Sequence, residues 1–219
     1  MSAEAHHIRV VKRARYYTLG AQAGVGDVWL VCHGYGQLAG KFINDFKTLA
    51  GPDRLVVAPE GLHRYYIDPP PAPAAQRRVG ATWMTREDRE QDIADYVDYL
   101  DTLVGEVLAR NAAARLRALG FSQGSATVLR WAVRGVRIPQ QLILWAGEVP
   151  TDVDWNMGAR KLAQTRIDVV RGNRDALTSQ AGWDKNLRTL AEAGLGYQQH
   201  EFSGGHHLDD ALLVRLASV

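Results

Sequence analysis

Gly120-Phe121-Ser122-Gln123-Gly124 stands between a strand candidate, Arg115–Gly120, and Ser125–Val133, a segment apolar nearly all round. Such a segment predicts a helix buried against a sheet, since a surface helix would keep one polar face. The chain must therefore pass from strand to helix within a few residues. Glycines at both ends of the pentapeptide permit this, because side chains there would collide with the strand or the helix. Ser122 is left at the apex in an unfavourable backbone conformation.

On either side of this turn, apolar β-branched runs alternate with segments of helical period. Further strands are expected at Ala14–Leu19, Asp27–Cys32, Leu55–Ala58, Gln141–Trp145, Ile167–Arg171 and Tyr197–Phe202. The alternation predicts an α/β protein with a mostly parallel central sheet and helices on both faces. A helix over Arg86–Arg110 returns Ile93, Tyr96, Val97, Leu100, Val104, Val107 and Leu108 to one face, with Thr85 as its expected cap. A second, near Ser179–Ala193, aligns Trp183, Leu187 and Leu190 and ends at Gly194. Gly61 to Thr85 contains Pro69-Pro70-Pro71-Ala72-Pro73 and keeps no period. It reads as a long proline-rich loop 61–85, a candidate wall or flap over a site.

The 219 residues suit one domain, 1–219, with 46% hydrophobic and 23% charged residues, ordinary globular usage. A formal charge of +2, with arginines spread along the chain, argues against nucleic acid as a partner. Met1–Tyr17 has no apolar core of a signal peptide, and no run of about 18 apolar residues occurs, so no integral membrane segment is expected and a cytoplasmic protein is. Cys32, the single cysteine, lies in an apolar strand run and reads as buried packing.

Four short motifs carry the chemistry. The G-x-S-x-G turn lifts the Ser122 hydroxyl above the sheet edge and aims the Gln123 N–H along the start of a helix, where free amides and the helix dipole favour an oxyanion. His33-Gly34-Tyr35-Gly36 follows the strand ending at Cys32 and can supply a second amide, that of Tyr35, while His33 is expected to orient this loop through hydrogen bonds. Gly172-Asn173-Arg174-Asp175 places a carboxylate at a strand's carboxyl end, where ligands bind in open sheets. Ser203-Gly204-Gly205-His206-His207 places a histidine on a glycine-containing loop that can face a serine with one ring nitrogen and an acid with the other. The order Ser122, Asp175, His206 is the triad order of an α/β-hydrolase fold.

Those motifs resemble the phospholipase/carboxylesterase branch of the α/β-hydrolases, which includes acyl-protein thioesterases and small bacterial carboxylesterases. The resemblance runs from His33 to the final helix and rests on the H-G-x-G loop, the G-F-S-Q-G elbow, the G-x-x-D acid and the G-G-H base. It implies Ser122 as nucleophile, Asp175 as acid, His206 as base, and Tyr35 and Gln123 as amide donors. Gly80-Ala81-Thr82-Trp83-Met84 resembles a tryptophan-containing loop beside the acyl pocket, which implies Trp83 and Met84 as substrate-binding residues. Relatives often have a histidine before the glycine of the acid loop and Val-Pro after the acid; here the loop reads Arg171-Gly172-Asn173-Arg174-Asp175-Ala176-Leu177.

The expected function is a serine carboxylesterase acting on small-molecule esters or thioesters through an acyl-enzyme, with no cofactor and no metal. A homodimer is the oligomeric form left open. Two rivals stand beside it. One is a non-catalytic α/β-hydrolase-like ligand-binding protein. The other is a metal hydrolase using His206, His207, Asp209 and Asp210, which lack the H-x-x-x-H spacing that puts two ligands on one helix face. Glu148, after Trp145-Ala146-Gly147 at another strand end, competes with Asp175 as the acid, although a solvated or loop-bracing role is expected of it.

Overall fold

The structure, a computed structural model, describes residues 2–71 and 73–218. In chain order the strands are β1 (Tyr16–Gly20), β2 (Asp27–Cys32), β3 (Arg54–Pro59), β4 (His63–Tyr66), β5 (Val79–Thr82), β6 (Arg115–Phe121), β7 (Gln141–Trp145), β8 (Arg166–Gly172) and β9 (Gln198–Phe202). The helices are α1 (Ala39–Phe42), α2 (Arg89–Ala109), α3 (Gln123–Arg134), α4 (Trp155–Lys161), α5 (Gln180–Glu192) and α6 (Asp210–Ala217). Every strand expected from the sequence is present within one or two residues of its expected ends.

Seven strands form one sheet in the order β1-β3-β2-β6-β7-β8-β9, with β1 antiparallel and the rest parallel. Parallel strands between two helical layers are buried on both faces and so read as continuous apolar runs. In β2 all six residues are buried, and they alternate: Val28, Leu30 and Cys32 face one core, Trp29 and Val31 the other. The first core takes Ile93, Tyr96 and Leu100 of α2, Leu129 and Trp131 of α3, and Trp183 and Leu190 of α5; the second takes Phe42 of α1 and Leu212, Leu213 and Leu216 of α6. Each such side chain, fully buried, contributes about 1.5–3 kcal/mol before entropy is counted. Burial pushes the Cys32 thiol up, so it packs as a small apolar group.

The chain steps from β2 outward to β3, then crosses back to lay β6 on β2's other side. The loops after β2 and β6 therefore diverge, opening the sheet's switch point at their carboxyl ends, where Cys32 pairs with Gly120. At the amino ends a buried polar chain holds the strands together instead: Arg117 bonds Asp27 at 3.1 Å and Gln141 at 2.6 Å, and Gln141 bonds Asp168 at 2.8 Å.

Two expectations differ from the structure. The segment 61–85 is not a structureless loop, because β4 and β5 pair antiparallel within it, and Ala81 of β5 exchanges backbone bonds with Gly36 and Gln37. Its four-residue strands are too short, and β4 too exposed, to show a core-facing alternation. Thr85 does not cap α2, which begins after Asp88; the Thr85 hydroxyl instead accepts the Glu87 N–H in a local turn. The short helices α1 and α4 carry too few turns to show a period. By contrast Ser179 caps α5 through the Gly182 N–H, and Gly194 follows its end with φ +72°.

Candidate active site

Ser122 joins β6 to α3 with φ 53° and ψ −118°, a conformation that costs a non-glycine residue about 1–3 kcal/mol. The surroundings hold it there. Its N–H donates to the Trp145 carbonyl at 2.8 Å, its carbonyl accepts from the Ser125 N–H at 3.0 Å, and the Ser125 hydroxyl bonds the Gly120 carbonyl at 2.7 Å. The flanking glycines are required by close approach. A Cβ on Gly120 would lie 2.1 Å from the Gly124 carbonyl oxygen, and one on Gly124 would lie 2.1 Å from that of Cys32.

The loop after β2 reaches this turn from the neighbouring strand, so that a Cβ on Gly34 would lie 3.1 Å from the Ser122 Cβ. His33 is buried beneath it. Its Nε2 accepts the Gly61 N–H at 3.0 Å, which leaves the proton on Nδ1 to donate to the Gly34 carbonyl at 2.7 Å. Burial lowers its pKa further toward the neutral form. His33 thus has both ring nitrogens committed to loop structure. The Gly34 N–H goes to the Gln37 side chain and the Gly36 N–H to Ala81, while among the described residues no acceptor takes the Tyr35 N–H. The Tyr35 ring is exposed and lies against Tyr65 at 5.4 Å.

His206 follows β9 and packs on Phe121 with ring centroids 4.9 Å apart. Its Nδ1 is 2.8 Å from Oδ2 of Asp175. Asp175 follows β8 and is bracketed by donors: Oδ1 accepts the Leu177 N–H at 2.8 Å and the Thr178 N–H at 3.2 Å, and Oδ2 accepts the Thr178 hydroxyl at 2.9 Å. Burial pushes this carboxyl up, but the bonds from His206, Leu177 and Thr178 outweigh it and hold the acid below its ordinary range. His207 points elsewhere, its Nδ1 bonding the Leu208 carbonyl and its ring edge-on to Phe202.

Ser122, Gln123 and His206 line one cleft of about 450 Å³. Met84 is on its wall. Trp83 is not: it is fully buried behind the wall, its indole N–H bonded to the His33 carbonyl at 2.8 Å and its ring edge-on to Tyr96. Gln123 ties the turn to that wall, since its side-chain amide accepts the Trp83 N–H at 3.2 Å and donates to the Met84 carbonyl at 3.1 Å. Glu148 is exposed and also lines the cleft, without a bond to His206 among the described residues. No group of three or more metal-ligating side chains occurs among the described residues, and no helix among them is long and apolar enough to cross a membrane.

Several cleft residues went unnoticed in the sequence. Arg130 of α3 and Arg89 of α2 both line the cleft and both bond the carboxylate of Asp152. Arg130 carried a signal, being a charged residue inside the largely apolar stretch Ser125–Val133. Asn186 of α5 accepts the Val149 N–H and donates to the Gly147 carbonyl, bracing the loop after β7. Lys185, beside it, faces the same cleft.

No protein-family model matches the chain, and no curated protein matches its sequence. Solved structures do match. A carboxylesterase from Mesorhizobium loti superposes with a TM-score of 0.71 at 20% identity, covering 93% of either chain. Zea mays acyl-protein thioesterase 2 gives 0.70 at 15%, covering 94% of this chain and 97% of its own. A Bacillus cereus carboxylesterase gives 0.68 at 14%, covering 94% and 92%. The chain has the α/β-hydrolase fold. Chains similar to it in that fold include carboxylesterases and an acyl-protein thioesterase.

Proposed function

We propose that this chain is a serine hydrolase of the phospholipase/carboxylesterase type, cleaving small carboxylic esters or thioesters through an acyl-enzyme. The observation that carries the reading is a serine held at positive φ on the wall of a cleft shared with a histidine whose far ring nitrogen is bonded to a buried carboxylate. With the Nδ1 proton donated to Asp175, Nε2 presents a lone pair and can take the Ser122 proton as Oγ attacks the carbonyl. Asp175 stays ionised, fixes this tautomer and stabilises the imidazolium that forms.

The oxyanion of the tetrahedral intermediate is received by the N–H groups of Gln123, at the start of α3, and Tyr35. A donor of this kind supplies on the order of 3–4 kcal/mol to the transition state. His206 returns the proton to the departing alcohol or thiol, then activates a water that releases the acid and restores the serine. Loop 61–85 serves as a wall of the site, through Met84. The test is a panel of oxygen and thiol esters of graded acyl length, assayed on wild type and Ser122→Ala. Turnover that survives in pure Ser122→Ala protein would refute the assignment.

A further inference from the structure

The cleft wall carries an excess of positive charge beyond what the triad requires. Arg89 and Arg130 come from different helices and converge on one carboxylate, Asp152, Arg130 through Nε at 3.0 Å. Arg134 meets the same residue at its backbone carbonyl, 2.6 Å away, and spends its charge on Glu90. Two guanidiniums around one carboxylate leave a unit of positive charge, together with N–H donors that a single carboxylate cannot occupy. The Arg130 side chain is only 6% exposed, so this cation is built into the wall and does not drift at its rim.

Lys185 of α5 adds a second cation to the cleft, and among the described residues no carboxylate pairs with it. Glu148 is the one acidic side chain among the described lining residues, and it is exposed. The apolar part of the wall is modest: Met84, Val149, Pro150 and Leu177 are its larger members. A cleft for a long uncharged acyl chain would instead bury a continuous apolar surface.

Resting on the esterase reading above, we infer that the preferred substrate is an anionic ester. Its acyl or alcohol part carries a carboxylate or similar anionic oxygens that meet the Arg89–Arg130 pair and Lys185 while the scissile carbonyl lies at Ser122. Charge steering into such a cleft raises capture of the anion and is screened by salt.

The test uses two pairs matched in size. Monoethyl glutarate against ethyl hexanoate puts the anion on the acyl side, and the acetyl ester of β-hydroxypropanoate against isoamyl acetate puts it on the alcohol side. Rates are followed by pH-stat at low ionic strength. In at least one pair the anionic ester should lead by about tenfold in kcat/KM, and the lead should shrink severalfold in about 1 M salt. The anionic-to-neutral ratio should fall about three- to fivefold in Lys185→Gln and in Arg89→Gln, but hold in Arg188→Gln, an exposed cation on α5 outside the cleft. Neutral esters cleaved as well as or better than anionic ones in both pairs, with that cleavage lost in Ser122→Ala, would overturn this inference and leave the esterase reading standing. So would an anion preference unmoved by both cleft variants. Failure to cleave any of the four esters would overturn the esterase reading and this inference with it.

Discussion

Replacing Asp175 by asparagine changes one oxygen into an NH2 group, and the structure dictates which. Four donors surround the carboxylate: two backbone N–H groups on Oδ1, and the His206 ring and Thr178 hydroxyl on Oδ2. Turning the new NH2 toward Leu177 and Thr178 would leave two part-buried amides facing donors, at about 1–3 kcal/mol each. Turning it toward His206 requires only that the imidazole move its proton to Nε2, while the Thr178 hydroxyl rotates. The second arrangement wins, so the fold survives and the imidazole presents a proton, where a lone pair is needed, to Ser122. Turnover should fall by up to about ten-thousand-fold, on the order of 5 kcal/mol, as for the corresponding change in serine proteases. Steady-state kinetics of Asp175→Asn and Glu148→Gln at one pH measure this. Glu148→Gln, at an exposed carboxylate, should cost no more than a modest pocket perturbation. Near-normal turnover in Asp175→Asn with collapse in Glu148→Gln would move the acid to Glu148.

The same carboxylate sets a pH dependence. Because its folded pKa is depressed, Asp175 contributes stability above its unfolded value of about 3.9 that is lost as pH falls through the folded value. Urea titrations from about pH 5 to pH 3 should therefore show wild type losing more stability than Asp175→Asn; parallel curves would contradict the bonding described. His33→Ala should destabilise by about 2–4 kcal/mol, since it empties a buried site and strips the Gly61 N–H of its acceptor. Unchanged urea stability with lost activity would instead make His33 a chemical participant. Gln123→Leu removes the bonds to Trp83 and Met84 and should loosen that wall, raising KM severalfold with a smaller change in kcat. An unchanged KM would show that the wall is held by other contacts.

The sheet was legible because parallel strands such as Asp27–Cys32 and Gln141–Trp145 are buried on both faces and announce themselves as apolar runs. The elbow was legible because steric contact between Gly120 and Gly124 leaves few other residues possible there. Met84 lines the cleft and Trp83 beside it does not, because the chain bends at Trp83, just past the end of β5, and its indole packs in the core against Tyr96. The hairpin within 61–85 was hidden for a related reason: Arg64 and Tyr66 are surface residues, and its register rests on backbone bonds to the 36–37 loop that no local pattern encodes. Arg89, Arg130 and Asp152 are separated by 41 and 22 positions in the chain and meet only through packing of α2 and α3 against the loop after β7. Long-range ion pairs of this kind leave only a faint local trace, here Arg130 within the largely apolar stretch Ser125–Val133.

If Ser122 is an activated nucleophile, a covalent serine-directed label will find it. A fluorophosphonate reacts with a serine only when a neighbouring base takes its proton and the product oxyanion is held. Intact and peptide mass spectrometry of the labelled protein should find one adduct, on the peptide containing Gly120-Phe121-Ser122-Gln123-Gly124. Labelling should be absent in Ser122→Ala and slowed by several powers of ten in His206→Ala. An unlabelled wild type, or an adduct that persists in Ser122→Ala, would contradict the account.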